Sequence, residues 1–281
     1  MKKILGLIAS PRRLGNSEIL VKEIARRVPE PHELELIRLP EFQINTCKAC
    51  YACLFEAMRC PQDDDLPTIL EALARADALI VAAPTYFLGA VAVLKRLLDR
   101  GLSFYGQAER IWGKPSVGVT VAGIEHREGY AKLNVDSFLK LILAEIKGSE
   151  IFFGALPGEV FLNEENKERA AKLGVALFGT ATFPVQPCCN LCGGDSFRFT
   201  GHGQVKCLLC GNPGAVDSVD GKTVFRIESA DHEMILSQEA ARVHLEWLRS
   251  MKDRFIQNRK VLKQVTVQYL KDGVWVKPPQ E

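Results

Sequence analysis

Five short apolar or alternating runs, each separated from the next by a stretch of helical period, predict an α/β fold: a parallel sheet with helices on both faces. Two further observations support it. Apolar residues make up 47% of the 281 and charged residues 25%, the balance of an ordinary globular chain. The alternation also stops near Phe183, where a stretch rich in Cys, Gly and Pro begins, so the sheet domain has a visible end.

The elements follow in order. "KILGLIA" reads as the first strand, and "SEILVKEIARRV" sets Ile and Leu on one face of a helix. "ELELIRL" alternates as the second strand, and "LPTILEALARA" is helical in period. "DALIVAAP" is a buried third strand, followed by the helix "AVAVLKRLLDRGL". "PSVGVTVA" and "SEIFFGAL" supply the fourth and fifth strands, with helices in "YAKLNVDSFLKLILAEI" and "NEENKERAAKLGVALFG". Past the cysteine-rich stretch come a strand, "KTVFRIE", and a long amphipathic helix opening at Ser237. A closing hairpin, "VTVQYLKDGVWVK", is expected to turn at Asp272-Gly273. The expected division is 1–183 for the sheet domain, 184–216 for a cysteine-rich module and 217–281 for a strand–helix–hairpin extension.

Composition narrows the function classes. The 36 basic and 34 acidic residues nearly cancel, which predicts neither a nucleic-acid partner nor an anionic membrane surface. The basic run "RFIQNRKVLK" reads as a solvated helix face. No apolar run approaches the ~20 residues that span a bilayer. The opening "MKKILGLIAS" reads as a strand, not a signal peptide, which leads us to expect a cytoplasmic protein. Nine cysteines fall in two groups, Cys47 to Cys60 and Cys188 to Cys210. Such grouping points to metal or redox centres and away from disulfides.

The first strand runs into "ASPRRLGNSE". Ser10, Asn16 and Ser17 are small polar donors, Arg12 is a charged fork, and Gly15 permits close backbone approach. Free N–H groups at the following helix start can make an anion site, with a plain tight turn as the competing reading. The loop is neither a Walker-type phosphate loop nor a Gly-x-Gly-x-x-Gly dinucleotide turn.

These residues resemble the Ser-Pro-Arg…Gly-Asn-Ser/Thr loop of the NADPH-dependent FMN reductase-like branch of the flavodoxin fold. "APTYFLGAVAVLKRLLDR" is similar to that family's Pro-x-Tyr loop and the helix after it, and "VTVAGIEHREG" stands where its third flavin loop belongs. The resemblance covers about residues 1–180 and implies a five-stranded sheet of order 2-1-3-4-5. It also implies that Ser10, Arg12, Asn16 and Ser17 hold the FMN phosphate. Pro84, Thr85, Tyr86 and Phe87 would then line the ribityl chain and ring, while Ala122 and Gly123 present backbone at the ring edge. For Tyr86 and Phe87, core packing is the competing reading.

Cys47, Cys50, Cys53 and Cys60 follow the second strand, at the edge of the sheet where such folds bind ligands. Cys-x2-Cys-x2-Cys wraps one short loop so that three thiolates can reach three irons of a cubane, and Cys60 can close the set. The spacing resembles the compact motif of iron–sulfur flavoproteins, a subgroup carrying a [4Fe–4S] cluster beside FMN. Zinc, disulfides or an empty site are the competing readings. The resemblance implies conversion between two-electron and one-electron partners, with NAD(P)H or a ferredoxin-like protein as donor.

Cys189/Cys192 and Cys207/Cys210 form two Cys-x2-Cys-Gly knuckles, the signature of a zinc ribbon or of a rubredoxin-type iron site. Zinc would staple a module that lacks a core of its own. The expectation is therefore an FMN-dependent oxidoreductase moving electrons between FMN, a [4Fe–4S] cluster and an external donor or acceptor, with a zinc ribbon. The family's habit of placing FMN at subunit interfaces implies a homodimer or homotetramer. An NAD(P)H-dependent FMN or quinone reductase without a cluster is one alternative. A redox-sensing or electron-carrier module that docks a protein is another.

Overall fold

In the computed structural model, residues 1–55, 58–180 and 187–278 are described. The strands of the first domain are β1 (Lys2–Ile8), β2 (His32–Arg38), β3 (Ala78–Tyr86), β4 (Gly89–Ala90), β5 (Pro115–Ala122) and β6 (Glu145–Phe153). The long strands are parallel in the order β2-β1-β3-β5-β6, which is 2-1-3-4-5 when the two-residue β4 is set aside. β4 pairs antiparallel with the end of β3. The strand β6 opens at Glu145, so Glu145 and Ile146 leave the helical run and join the sheet earlier than their periodicity predicts.

Among the described residues six α-helices belong to this domain: α1 (Asn16–Arg26), α2 (Leu66–Arg75), α3 (Ala92–Asp99), α4 (Ala108–Ile111), α5 (Ala131–Leu141) and α6 (Glu164–Phe178). The strands alternate their side chains between two cores, as a period of two requires. Leu5, Leu7, Leu79 and Val81 join Ile69 and Leu73 of α2, Leu94 and Leu97 of α3, and Phe138 of α5. Ile4, Ile8, Ile80, Val117 and Val119 join Leu20 and Ile24 of α1 and Leu173 and Leu177 of α6. Burial on both faces is why these strands read as near-continuous apolar runs.

The second unit is an antiparallel sheet of β7 (Phe197–Gly201), β8 (Gln204–Cys207), β9 (Pro213–Val219) and β10 (Lys222–Ile227), in the order β10-β9-β8-β7. The sheet crosses residue 216, so the boundary expected there falls inside β9, whereas the boundary at 183/184 lies outside the described residues. Its core is formed by the four knuckle cysteines with Val205, Leu209, Ile227 and Ile235, and Leu133 of α5 packs against it. Lys132 ties the two units together, reaching Asp136 at 2.8 Å and Asp195 at 3.0 Å.

The helix α7 (Gln238–Val267) starts where the capping signal put it: Ser237 Oγ accepts from Ala240 N–H at 3.0 Å. The expected closing hairpin does not form. Val265 to Val267 continue the helix, turns follow, and no strand lies between there and Pro278. The β-branched alternation of "VTV" is outweighed by continuity of an existing helix, where each added residue gains a hydrogen bond without a new nucleation cost.

Candidate functional site

The loop after β1 and the start of α1 build one wall of a cleft of about 230 Å³ at the carboxyl edge of the sheet. Ser10, Arg12, Asn16, Ser17, Pro84, Thr85, Tyr86 and Gly123, all named from the sequence, line it. Gly15 is the residue before the helix, and the N–H groups of Glu18 and Ile19 donate back to its carbonyl. The earlier N–H groups of the first turn, those of Asn16 and Ser17, therefore face the cleft mouth with the positive end of the helix dipole.

The Asn16 side chain has another task. Its Nδ2 donates to Gly154 O at 2.9 Å, and its Oδ1 accepts from Gly158 N–H at 2.8 Å, so it ties the loop after β6 to the loop after β1. Its part in the cleft is its backbone and this tie. Arg12 Nη1 donates to Ala155 O at 3.2 Å, which holds a guanidinium at the rim. Two expected residues do not line the cleft. Phe87 stands fully exposed at the tip of the β3–β4 turn, and Ala122 is buried, its carbonyl accepting from Gly154 N–H.

Two residues that the sequence did not single out shape the loop. Arg38, at the end of β2, donates through Nη1 to Arg12 O at 2.9 Å and through Nη2 to Glu18 Oε2 at 2.7 Å. Glu18 also accepts from Leu14 N–H at 2.6 Å and from Lys22 Nζ at 2.6 Å. Burial works against the Glu18 charge, but hydrogen bonds from Lys22, Arg38 and Leu14 together bring its carboxyl down to about 2. Residues twenty apart in sequence meet here only through β-sheet topology. The usable signal would have been a carboxylate in the first turn of an anion-binding helix, which needs a cation to offset it.

A flavin mononucleotide fits this cleft on the chemistry of its donors. Helix-start N–H groups, the Ser10 and Ser17 hydroxyls and the Arg12 guanidinium form a cationic and polar end suited to a phosphate. Thr85 Oγ1 is buried without a partner, a polar atom left for a ligand to satisfy.

The four cysteines of the loop after β2 converge on a separate chamber of about 210 Å³, lined also by Arg100 and Ser103. The backbone enters the left-handed region at Ala49, Tyr51 and Met58, which curls the loop around the chamber. Arg100, buried at the end of α3, reaches Cys60 Sγ at 3.0 Å with Nη2 and Asn45 O at 2.8 Å with Nη1. Its ion pair with Asp64 is shielded from solvent, at 1% and 0% side-chain exposure. Burial opposes the Asp64 charge, yet bonds from Arg100, Asn45 and Leu66 hold its carboxyl below the usual range. Burial also pushes the Cys53 thiol up.

The second set is arranged differently. Cys189, Cys192, Cys207 and Cys210 are all buried, with their sulfurs within 4.8 Å of one another; among the described residues the first four cysteines form no such group. Cys189 and Cys210 lie 3.9 Å apart, and Cys192 and Cys207 3.6 Å. Tetrahedral thiolates bonded to one ion at about 2.3 Å stand about 3.8 Å apart, so this set fits a single metal ion. The two knuckles repeat one backbone pattern. Cys189 and Cys207 N–H donate to Gly194 and Asn212 O, and Gly193 and Gly211, at φ 75° and 80°, donate back to Cys189 and Cys207 O. Thiolates on four different irons stand further apart than ligands of one ion, which suits the wider chamber of the first set.

A parallel 2-1-3-4-5 sheet with an anion-binding cleft at the carboxyl end of β1 defines a flavodoxin-type flavoprotein. The NADPH-dependent FMN reductase family matches residues 2–148, and the chain belongs to that family. It is an FMN-dependent oxidoreductase. An iron–sulfur flavoprotein of Archaeoglobus fulgidus is 30% identical over 174 residues, covering 61% of this chain and 77% of the relative. An iron–sulfur flavoprotein of Methanocaldococcus jannaschii is 39% identical over 99 residues, covering 35% of this chain and 51% of the relative, about half its length. A flavone reductase structure superposes on 99% of this chain and 100% of its own with a TM-score of 0.74 at 19% identity, a likeness of fold. The resemblance drawn from the three loops and the compact cysteine motif is borne out. No helix among the described residues is long and apolar enough to cross a membrane.

Proposed function

We propose that the chain moves electrons between FMN in the β1 cleft and a [4Fe–4S] cluster held by Cys47, Cys50, Cys53 and Cys60. The observation that carries this is the convergence of all four thiols, with a buried guanidinium, on a chamber at the same sheet edge as the cleft. FMN exchanges electrons singly or in pairs and an iron–sulfur cluster one at a time, so the two together join one-electron and two-electron partners.

The chain's own residues set the frame. The Asn16 and Ser17 N–H groups, Ser10 and Arg12 bind and orient the phosphate, and Pro84, Thr85, Tyr86 and Gly123 flank the rest of the flavin. Ala122 contributes through its backbone, which braces Gly154, and Phe87 borders the entrance. Arg100 orients Cys60 and places fixed positive charge at its sulfur. Cys189, Cys192, Cys207 and Cys210 hold zinc, with no redox task, in a module spanning the knuckles and β7–β10. The donor is NAD(P)H or a ferredoxin-like protein, and the working form is a homodimer or homotetramer.

The deciding experiment is an anaerobic preparation assayed for flavin, iron, acid-labile sulfide and zinc. Per chain, one FMN, about four iron, about four sulfide and one zinc are expected. Zinc without sulfide would sink the cluster and leave an NAD(P)H-dependent FMN or quinone reductase. A second iron pool without sulfide would turn the ribbon into a rubredoxin-type site.

A further inference from the structure

A second chamber, sharing no residue with the flavin cleft, opens between the cysteine loop and α7. Its volume is about 650 Å³, within the range of small-molecule sites. Tyr51 and Phe55 form one wall; Trp247, Met251 and Phe255 form the other. The walls come from parts of the chain almost two hundred residues apart, yet they are fixed. Arg249 Nε donates to Leu54 O at 2.8 Å, and its Nη2 reaches Met58 Sδ at 3.3 Å. The chamber is therefore formed before anything enters it.

Its lining is unusual for a chain's own packing. Tyr51, Trp247 and Phe255 remain 54%, 43% and 56% exposed, although all three face one concavity. Aromatic faces left open in a concave site gain most from a flat ring system, which offers a stacked partner to more than one wall. Lys252 is the only charged side chain among the described residues that line the chamber, and its Nζ lies 5.1 Å from the centre of the Phe55 ring. One cation at the rim of an aromatic slot selects an anionic substituent. Both walls belong to the same chain and already meet through Arg249, so the concavity suits a small molecule more than a helix from a second copy.

We infer that this chamber binds a planar aromatic anion of two or three fused rings. Cys50 lines the same chamber, so the ligand would lie against the cysteine loop. The inference stands on the chamber alone and holds whichever group Cys50 carries.

Calorimetry on the FMN-loaded full chain with naphthalene-2-sulfonate and its neutral sulfonamide tests it. One site per chain is expected for both. Lys252→Gln should weaken the sulfonate about tenfold and leave the sulfonamide within about twofold. Phe255→Ala should weaken both about tenfold, with FMN content and melting temperature unchanged as a check on folding. Absence of sulfonate binding, or equal affinity in Lys252→Gln, would overturn the inference. So would affinity that vanishes as the protein is concentrated through its self-association range, since a second copy would then own the chamber.

Discussion

Glu18 and Arg38 brace the loop after β1 from outside the cleft, which neither of them lines. Glu18 is buried and held as a carboxylate down to about pH 2, below its ordinary 4.5, by Lys22, Arg38 and the Leu14 N–H. A folded-state value below the unfolded one gives stability that is complete above pH 4.5 and drains away as the pH falls toward 2. The shift bounds this contribution at roughly 3 kcal/mol. In urea titrations from pH 6 to pH 2, Glu18→Gln should flatten the acid loss of stability relative to the parent. The same variant releases Leu14 and Arg38, so FMN affinity should fall about tenfold by fluorescence titration. Arg100 poses the matching problem at the cysteine chamber. Arg100→Gln leaves Asp64 buried and unpaired, which should cost about 3–5 kcal/mol in chemical denaturation, and adding Asp64→Asn should recover part of it. With a cluster bound, loss of the positive charge at Cys60 should lower its midpoint potential by on the order of 50–100 mV in an EPR-monitored titration. Ser10, Arg12 and Ser17 were legible because the loop presents them locally. Arg38 and Arg100 were not, because their partners are 20 and 36–40 residues away and meet only in the folded chain.

Among the elements, the β3–β4 turn stores backbone strain beside the cleft. Phe87 and Leu88 both sit at positive φ, 50° and 67°, between the paired residues Tyr86 and Gly89. That geometry is a type I′ hairpin turn, which favours Asn-Gly. Replacing Phe87 by Asn and Leu88 by Gly should stabilise the domain by about 1–2 kcal/mol, read as a rise in melting temperature. The turn is braced from outside: Tyr130 N–H donates to Leu88 O at 2.7 Å, and a Cβ on Gly129 would lie 2.4 Å from Leu88 O. Gly129→Ala should therefore destabilise by about 2 kcal/mol or more and weaken FMN binding, since it pushes on the wall that holds Thr85 and Tyr86. The Pro-x-Tyr motif placed this segment correctly at the cleft, but a motif carries no dihedral angles, and the left-handed turn swings Phe87 outward. Strands β1, β3 and β5 were readable because two-sided burial writes long apolar runs, and β2 because its residues alternate, whereas the two-residue β4 left no such mark. Of the second sheet only β10 was readable, and β7 to β9 were not, since a sheet built on four buried sulfurs needs few apolar side chains of its own.

At the scale of the whole molecule, one part has a core that a bound metal would complete. The ribbon core consists of four cysteines and a handful of aliphatic residues, joined to the flavin domain through Leu133 and the Lys132–Asp195 pair. Chelation at neutral pH should unfold residues 187–228 while flavin remains bound, seen as new proteolytic cleavage between Asp195 and Ile227. Restoring zinc should restore protection. Beyond the ribbon, α7 runs for 30 residues, about 45 Å of rod. Its near half forms a wall of the aromatic chamber, and from Lys252 to Pro278 every residue is exposed. The free half and the wall are one rigid piece, with Arg249 as the fulcrum on the cysteine loop. The far end of α7 is thus a handle about 25 Å from Met251, mechanically continuous with a wall that Arg249 keeps in place.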